Sequence, residues 1–157
     1  MHLLRLRFIE AKHVKGAASS DGSDTGFVTI YATDEGGRME GIMTEERIFT
    51  MSEVAESSDE AAVKTVFASR EHSNSVVWVV KPGQEVACHK HTTSDDIWIV
   101  MQGSGLFHPE PGQDVRVSAG QVIVNSAGMC HGVTNDGDED FVFVGVIAPV
   151  PSDFIAL

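Results

Sequence analysis

The chain has 157 residues, 42% of them hydrophobic, enough to bury the core of one domain without disulfide or metal staples. Its 11 Lys and Arg stand against 23 Asp and Glu, and the resulting formal charge of −12 repels nucleic-acid phosphates and anionic lipid surfaces. Basic residues gather only at Arg5, Arg7, Lys12 and Lys15, too few for a nucleic-acid footprint, no run reaches the ~18 apolar residues of a membrane span, and Arg5 and Arg7 interrupt any signal-peptide core in Met1–Ile9. The expectation is a soluble cytoplasmic protein with neither a nucleic-acid nor a membrane partner.

In chain order, Leu4, Leu6 and Phe8 alternate with Arg5 and Arg7, the period-two pattern of a half-exposed edge or swapped strand at Leu3–Ile9. Gly16–Gly26 is a turn-rich loop of small residues, and Phe27–Ala32 has the β-branched and aromatic content of a strand, ended by the turn at Asp34–Gly37. Residues 1–45 are therefore expected to form an N-terminal extension packed on the main domain or on a partner, with 46–157 as the main domain. Ser52–Glu60 is polar and acidic and suits a single helical turn capped by Ser52. Val63, Thr65 and Phe67 alternate with Lys64 and Ala68 as in a strand, although Glu60–Phe67 also fits a short helix. Val76–Val80, with Trp78, is a continuous apolar run ended by Lys81-Pro82-Gly83, a core strand followed by a turn, and Ile97–Met101 reads the same way. Leu106–His108 is a short strand stopped by Pro109, and Val115 and Val117 alternate around Arg116. Gly120 turns the chain into Val122–Asn125, Val133-Thr134 runs to a turn at Asn135–Gly137, and Phe141–Ala148 is the last and most apolar strand. Short strands separated by Gly, Pro, Asn and Asp turns every ~8–12 residues argue for an all-β sandwich or barrel.

The chemistry is concentrated between Gly83 and Asn135. His89 and His91 are two apart, so in a strand both imidazoles leave one face roughly 6–7 Å apart. Asp96 follows across a polar Thr-Thr-Ser turn onto a neighbouring strand, where Asp96, Trp98 and Val100 share a face. His131 follows the turn at Gly128 and needs a third strand to fold back beside the first. Neutral imidazoles with a carboxylate suit a divalent transition ion and leave coordination positions open for water or substrate.

The pattern G-x5-H-x-H-x4-D-x6-G, followed by G-x5-S-x-G-x2-H-x3-N, resembles the two signature motifs of the cupin superfamily. Gly83, His89, His91 and Gly103 match the first motif, and Gly120, Gly128, His131 and Asn135 the second. Asp96 stands where that family usually has glutamate, about 1.5 Å shorter in reach, and Ser126 stands where it usually has proline, which loosens a turn. The resemblance implies a double-stranded β-helix (jelly-roll) barrel over 46–157 and a metal site of His89, His91 and His131. Asp96 is then a direct ligand, a ligand through water, or a base. Fe, Mn, Ni and Zn all suit such a site. The family spans dioxygenases, decarboxylases, isomerases, lyases and non-catalytic binding modules, so it implies a scaffold without fixing a reaction.

The expected function is therefore a metal-dependent enzyme acting on a small acidic or phenolic metabolite, the alternative being a small-molecule binding or sensing module. Trp98, Val100, Trp78 and Phe107 are candidate pocket walls, and each also reads as ordinary core. His108, ending a strand near the barrel, is a candidate acid–base residue. Cys88 and Cys130 each immediately precede a candidate ligand, so both thiols should face away from the metal and could lie close together, as two small buried thiols. A homodimer is expected from the family, using the apolar surface of the N-terminal strand, Phe27–Ile30 and Phe154–Leu157.

Overall fold

The computed structural model describes residues 27–33 and 39–157, with side chains described from Glu46 onward. The strand expected at Leu3–Ile9, the loop Gly16–Gly26 and the turn at Asp34–Gly37 lie outside the described residues. Strand β1 (Phe27–Thr33) pairs antiparallel with β2 (Met39–Glu45), from Phe27 opposite Glu45 to Thr33 opposite Met39.

Thr50–Leu157 forms a separate unit. It begins with the short helix α1 (Met51–Val54), entered through Thr50 in extended conformation without a side-chain cap. The cap expected at Ser52 is thus wrong by two positions, and the helix ends at Val54. Beyond it the chain is tied down in a non-helical path, with Gln84 Nε2–H donating to the Ser58 carbonyl at 2.9 Å and Lys81 Nζ donating to Asp59 Oδ1 at 2.6 Å.

The remaining strands are β3 (Val63–Ser69), β4 (Asn74–Val80), β5 (Glu85–Lys90), β6 (Asp95–Gln102), β7 (Ser104–Glu110), β8 (Gln113–Ser118), β9 (Val122–Asn125), β10 (His131–Thr134), β11 (Phe141–Ala148) and β12 (Ile155–Ala156). They make two five-stranded antiparallel sheets, ordered β12-β5-β10-β7-β8 and β3-β4-β11-β6-β9. This is the all-β double-stranded β-helix barrel expected. Among the described residues, no helix is long and apolar enough to cross a membrane.

The core lies between the sheets and comprises Val80, Val86, Trp98, Val100, Phe107, Val117, Val133, Phe141 and Phe143. Phe141 and Phe143 are fully buried, and each contributes about 1.5–3 kcal/mol by leaving water. Asn135, also fully buried, donates through Nδ2 to the carbonyls of Val80 and Glu139 at 2.7 and 2.8 Å, while its own carbonyl accepts from Gly83 N–H at 2.8 Å. A polar side chain sealed in the interior is stable only with its bonds made, and these pin the ends of the Gly83–Asn135 segment together.

The apolar run of β6, expected as a core strand, is buried on one face only, and so is the apolar run of β9. In β6, Asp96, Trp98 and Val100 point inward while Ile97, Ile99 and Met101 are exposed. In β9, Asn125 is buried and Val122 and Val124 are exposed. Ile97 pairs with Val124 and Ile99 with Val122, so the outer face carries an apolar stripe. Strand β7 also runs past Pro109, where its end was expected. The register with β8 shifts between Phe107 and Glu110, so proline falls at an irregularity that does not require its missing N–H.

Candidate metal centre

His89 and His131 come from the β5–β10 pair of one sheet, His91 stands just past the end of β5, and the carboxylate comes from β6 of the other sheet. His131 pairs directly with His89, but the next partners are Val133 and Val86, so β5 carries one extra residue there. This bulge turns both Val86 and His89 inward although they are three apart. Gly132 faces the bulge, where a Cβ would come within 2.9 Å of both Cys88 N and the Val86 carbonyl oxygen. The strands can approach so closely only because position 132 has no side chain. On β6, the period-two alternation delivers Asp96 to the same interior.

His89, His91, Asp96 and His131 are all buried, and one ligand atom from each lies within 4.8 Å of all the others. The Nδ1–H groups of His89 and His131 donate to the carbonyls of Ala87 and Met129, at 2.9 and 3.0 Å, and that of His91 donates to the Asp153 carbonyl. Those bonds place the proton on Nδ1 and leave the Nε2 lone pairs for the centre. His91 Nε2 and His131 Nε2 each lie 3.6 Å from Asp96 Oδ2. Asp96 Oδ2 also accepts from Trp98 Nε1–H at 2.8 Å.

Burial holds His131 down to about 4, with His89 beside it acting in the same direction, and burial likewise lowers His89. Both imidazoles are therefore neutral at pH 7, the form that ligates a metal. Burial raises Asp96, opposed by the Trp98 hydrogen bond and by His91. The Nε2 atoms of His91 and His131 and Asp96 Oδ1 are buried without any hydrogen-bond partner. Each such group costs about 1–3 kcal/mol when left unpaired, and a divalent cation among them would satisfy all three. The donor set of imidazole nitrogens and one carboxylate fits a transition ion.

Other candidate residues separate from this cluster. Trp98 touches it, through Asp96 and with its ring 5.5 Å from that of His131. Val100 and Phe107 are in the hydrophobic core, and half-buried Trp78 packs on it, its ring 6.3 Å from that of Phe143. His108 lies outside the four-residue cluster. Phe107 points inward, so its neighbour points outward, and its ring nitrogens are engaged by Asp114 Oδ1 and Thr134 Oγ1, both at 2.8 Å. Cys88 and Cys130 are free thiols, and burial with Cys88 alongside pushes Cys130 up to about 11. The turn with Ser126 in place of proline is held from outside, by Gly128 N–H on the His91 carbonyl at 2.7 Å and Ala127 N–H on Asp95 Oδ1 at 2.8 Å.

One contribution had no signal in the spacing of the sequence. After β11, the segment 153–157 returns along β5, where Phe154 stacks on His89 with centroids 4.2 Å apart and Ile155 pairs with Lys90.

Residues 76–147 match the family described as Cupin domain. An uncharacterised conserved protein with a double-stranded β-helix domain from Klebsiella pneumoniae is 35% identical, with a TM-score of 0.69 over 72% of this chain and 99% of that one. A protein from Thermotoga maritima described as a predicted oxalate decarboxylase is 28% identical, with a TM-score of 0.52 over 57% of this chain and 81% of its own. A Thermotoga maritima protein named oxalate-binding protein is 38% identical over 66 residues, or 42% of this chain. The match spans only 54% of that relative's length.

Proposed function

Because this chain belongs to the cupin superfamily, we propose that it is a metal-dependent enzyme in which His89, His91, His131 and Asp96 hold one divalent transition ion that serves a reaction on a small acidic metabolite. The observation that carries this reading is the meeting of four buried donor groups, three of whose atoms have no hydrogen-bond partner. A bound ion would supply Lewis acidity toward a carboxylate, carbonyl or enolate, or oxygen chemistry if it is iron. The chain's own residues prepare the place. Backbone carbonyls set the imidazole tautomers, Trp98 orients the carboxylate, and the barrel core behind Trp98 excludes water. With a formal charge of −12 the protein repels anions at long range, so the ion must supply the attraction. The names given to the Thermotoga maritima matches support oxalate as the first candidate within the class of small di- and keto acids.

A second reading, a non-catalytic binding module, is favoured by one specific observation. Among the described residues, no buried carboxylate, imidazole or amine lies outside the cluster. If Asp96 ligates, no separate acid or base remains in the interior; if it does not, it is the base.

The test is elemental analysis of untagged protein, wild type against His91→Ala and Asp96→Ala. It is followed by add-back of Fe(II), Mn, Ni and Zn to chelator-treated protein with oxalate and related acids. Metal near one equivalent with product formation supports the enzyme, and a ligand-induced melting shift without product supports the binding module. Absence of metal under every loading condition removes the enzyme, and absence of any melting shift with these acids removes the binding module. A homodimer belongs to the same reading, supported by the exposed stripe of Ile97, Ile99, Val122 and Val124. Light scattering at tens of micromolar would give about twice the 16.9 kDa of one chain.

A further inference from the structure

The three imidazoles of the centre are not held alike. His89 and His131 donate to carbonyls two residues back, so their orientation is settled within their own strands. His91 donates to the carbonyl of Asp153, 62 residues away. Asp153 is itself gripped, its carboxylate accepting from Thr92 N–H at 2.7 Å and from the Thr92 hydroxyl. The residues after it pair with β5, Ala156 opposite His89, and Leu157 N–H donates to the Cys88 carbonyl at 3.0 Å. Between these anchors Phe154, 56% exposed, lies nearly parallel to His89 at an interplanar angle of 19°. Upstream, Ser94, almost fully buried, donates to the Pro149 carbonyl at 2.6 Å and directs the end of β11 toward the site.

We propose that Asp153 and Phe154 are positioning residues of the metal centre. Asp153 holds His91 with its proton on Nδ1 and its Nε2 lone pair inward, while Phe154 sets the plane of His89 and covers it from water. The proposal rests on the reading of His89 and His91 as ligands. Without the Asp153 carbonyl, His91 Nδ1 loses its acceptor and the proton is free to move to Nε2, where it blocks ligation. Docking of residues 153–157 and binding of an ion are then coupled, and by reciprocity an ion tightens the segment as much as the segment tightens the ion.

The test compares wild type with Asp153→Ala and Thr92→Val, which break the grip on the segment at exposed positions without opening the core, and with Asp153→Asn, which keeps an acceptor oxygen. Two quantities are measured, Zn(II) and Co(II) affinity by competition with a chromophoric chelator, and the ring-nitrogen NMR shifts of metal-free protein. Loss of such an outer partner typically weakens metal binding about 10–100-fold. We expect a loss in that range for Asp153→Ala, a smaller one for Thr92→Val, and substantial recovery in Asp153→Asn. The His91 ring should shift toward the Nε2–H tautomer while those of His89 and His131 stay as they are. Phe154→Ala should also weaken binding, and Phe154→Leu should restore part of it. Unchanged affinity together with an unchanged His91 tautomer in both Asp153→Ala and Thr92→Val would overturn the proposal. If wild type binds no ion, the metal reading itself fails, and the tautomer, which is read without metal, still decides whether Asp153 positions His91.

Discussion

Acid should destabilise the metal-free protein through His131. Its imidazole falls from an ordinary 6.5 to about 4 because burial, and then His89 beside it, disfavour the charged form. Above pH 6.5 both folded and unfolded chains carry it neutral, and it costs nothing. Below 6.5 the unfolded chain takes up a proton that the fold refuses, so stability falls as pH falls and the loss is complete near pH 4. At about 1.4 kcal/mol for each pH unit of that window, the full loss is about 3 kcal/mol. His89, lowered for the same first reason, adds in the same direction. Asp96 acts oppositely. Its raised pKa means that the fold binds a proton more readily than the unfolded chain does, which returns some stability as pH drops toward 3.8. The assay is denaturant unfolding of metal-free wild type and His131→Asn at pH 7, 6, 5 and 4.5. Surface charges are common to both proteins, so their difference isolates the imidazole. Wild type should lose about 2–3 kcal/mol more than the variant over that range. Parallel pH profiles would refute the reasoning, since they would mean that His131 is protonated in the fold as easily as in water.

Three further outcomes follow from the same geometry. A divalent ion at a hundred times its dissociation constant should stabilise the fold by about 2.7 kcal/mol, visible as a melting shift that a chelator reverses and that His89→Ala with His131→Ala abolishes. Trp98→Phe removes the donor that sits 2.8 Å from Asp96 Oδ2. It should cost about 1–3 kcal/mol in unfolding measurements, and it should raise the pH below which ion binding fades, because the carboxylate becomes easier to protonate. Gly145→Ala would put a methyl 2.9 Å from Val76 Cγ2 and 3.3 Å from Asp96 Oδ1. Overpacking of about 1–3 kcal/mol should appear in thermal melts, with weakened ion binding in calorimetry, whereas a variant that melts lower but binds normally would show that Asp96 does not need that space.

The centre was legible because its parts obey local rules. Two scarce residues at strand spacing, His89 and His91, must project together, and Asp96 shares the inward parity of Trp98 and Val100. What escaped is non-local or belongs to the other face. Ile97, Ile99, Val122 and Val124 are apolar yet exposed, since apolar character permits burial without compelling it. His108 lies outside the four-residue cluster because Phe107 takes the inward position on β7 and its neighbour faces the other way. The segment 153–157 showed in the sequence only as apolar surface, and its docking at the site did not, because its partners, His91 and Thr92, lie about sixty residues earlier, with no periodicity linking them. The shorter carboxylate shows the same division. Side-chain length alone sets aspartate about 1.5 Å back from where glutamate would reach, yet Asp96 Oδ2 lies 3.6 Å from two imidazole nitrogens. Room for the carboxylate comes from β11, where Gly145 stands opposite Trp98 and offers no side chain toward Asp96. A side chain at that position would compete with the carboxylate for the same space, so the short acid and the glycine facing it belong to one arrangement.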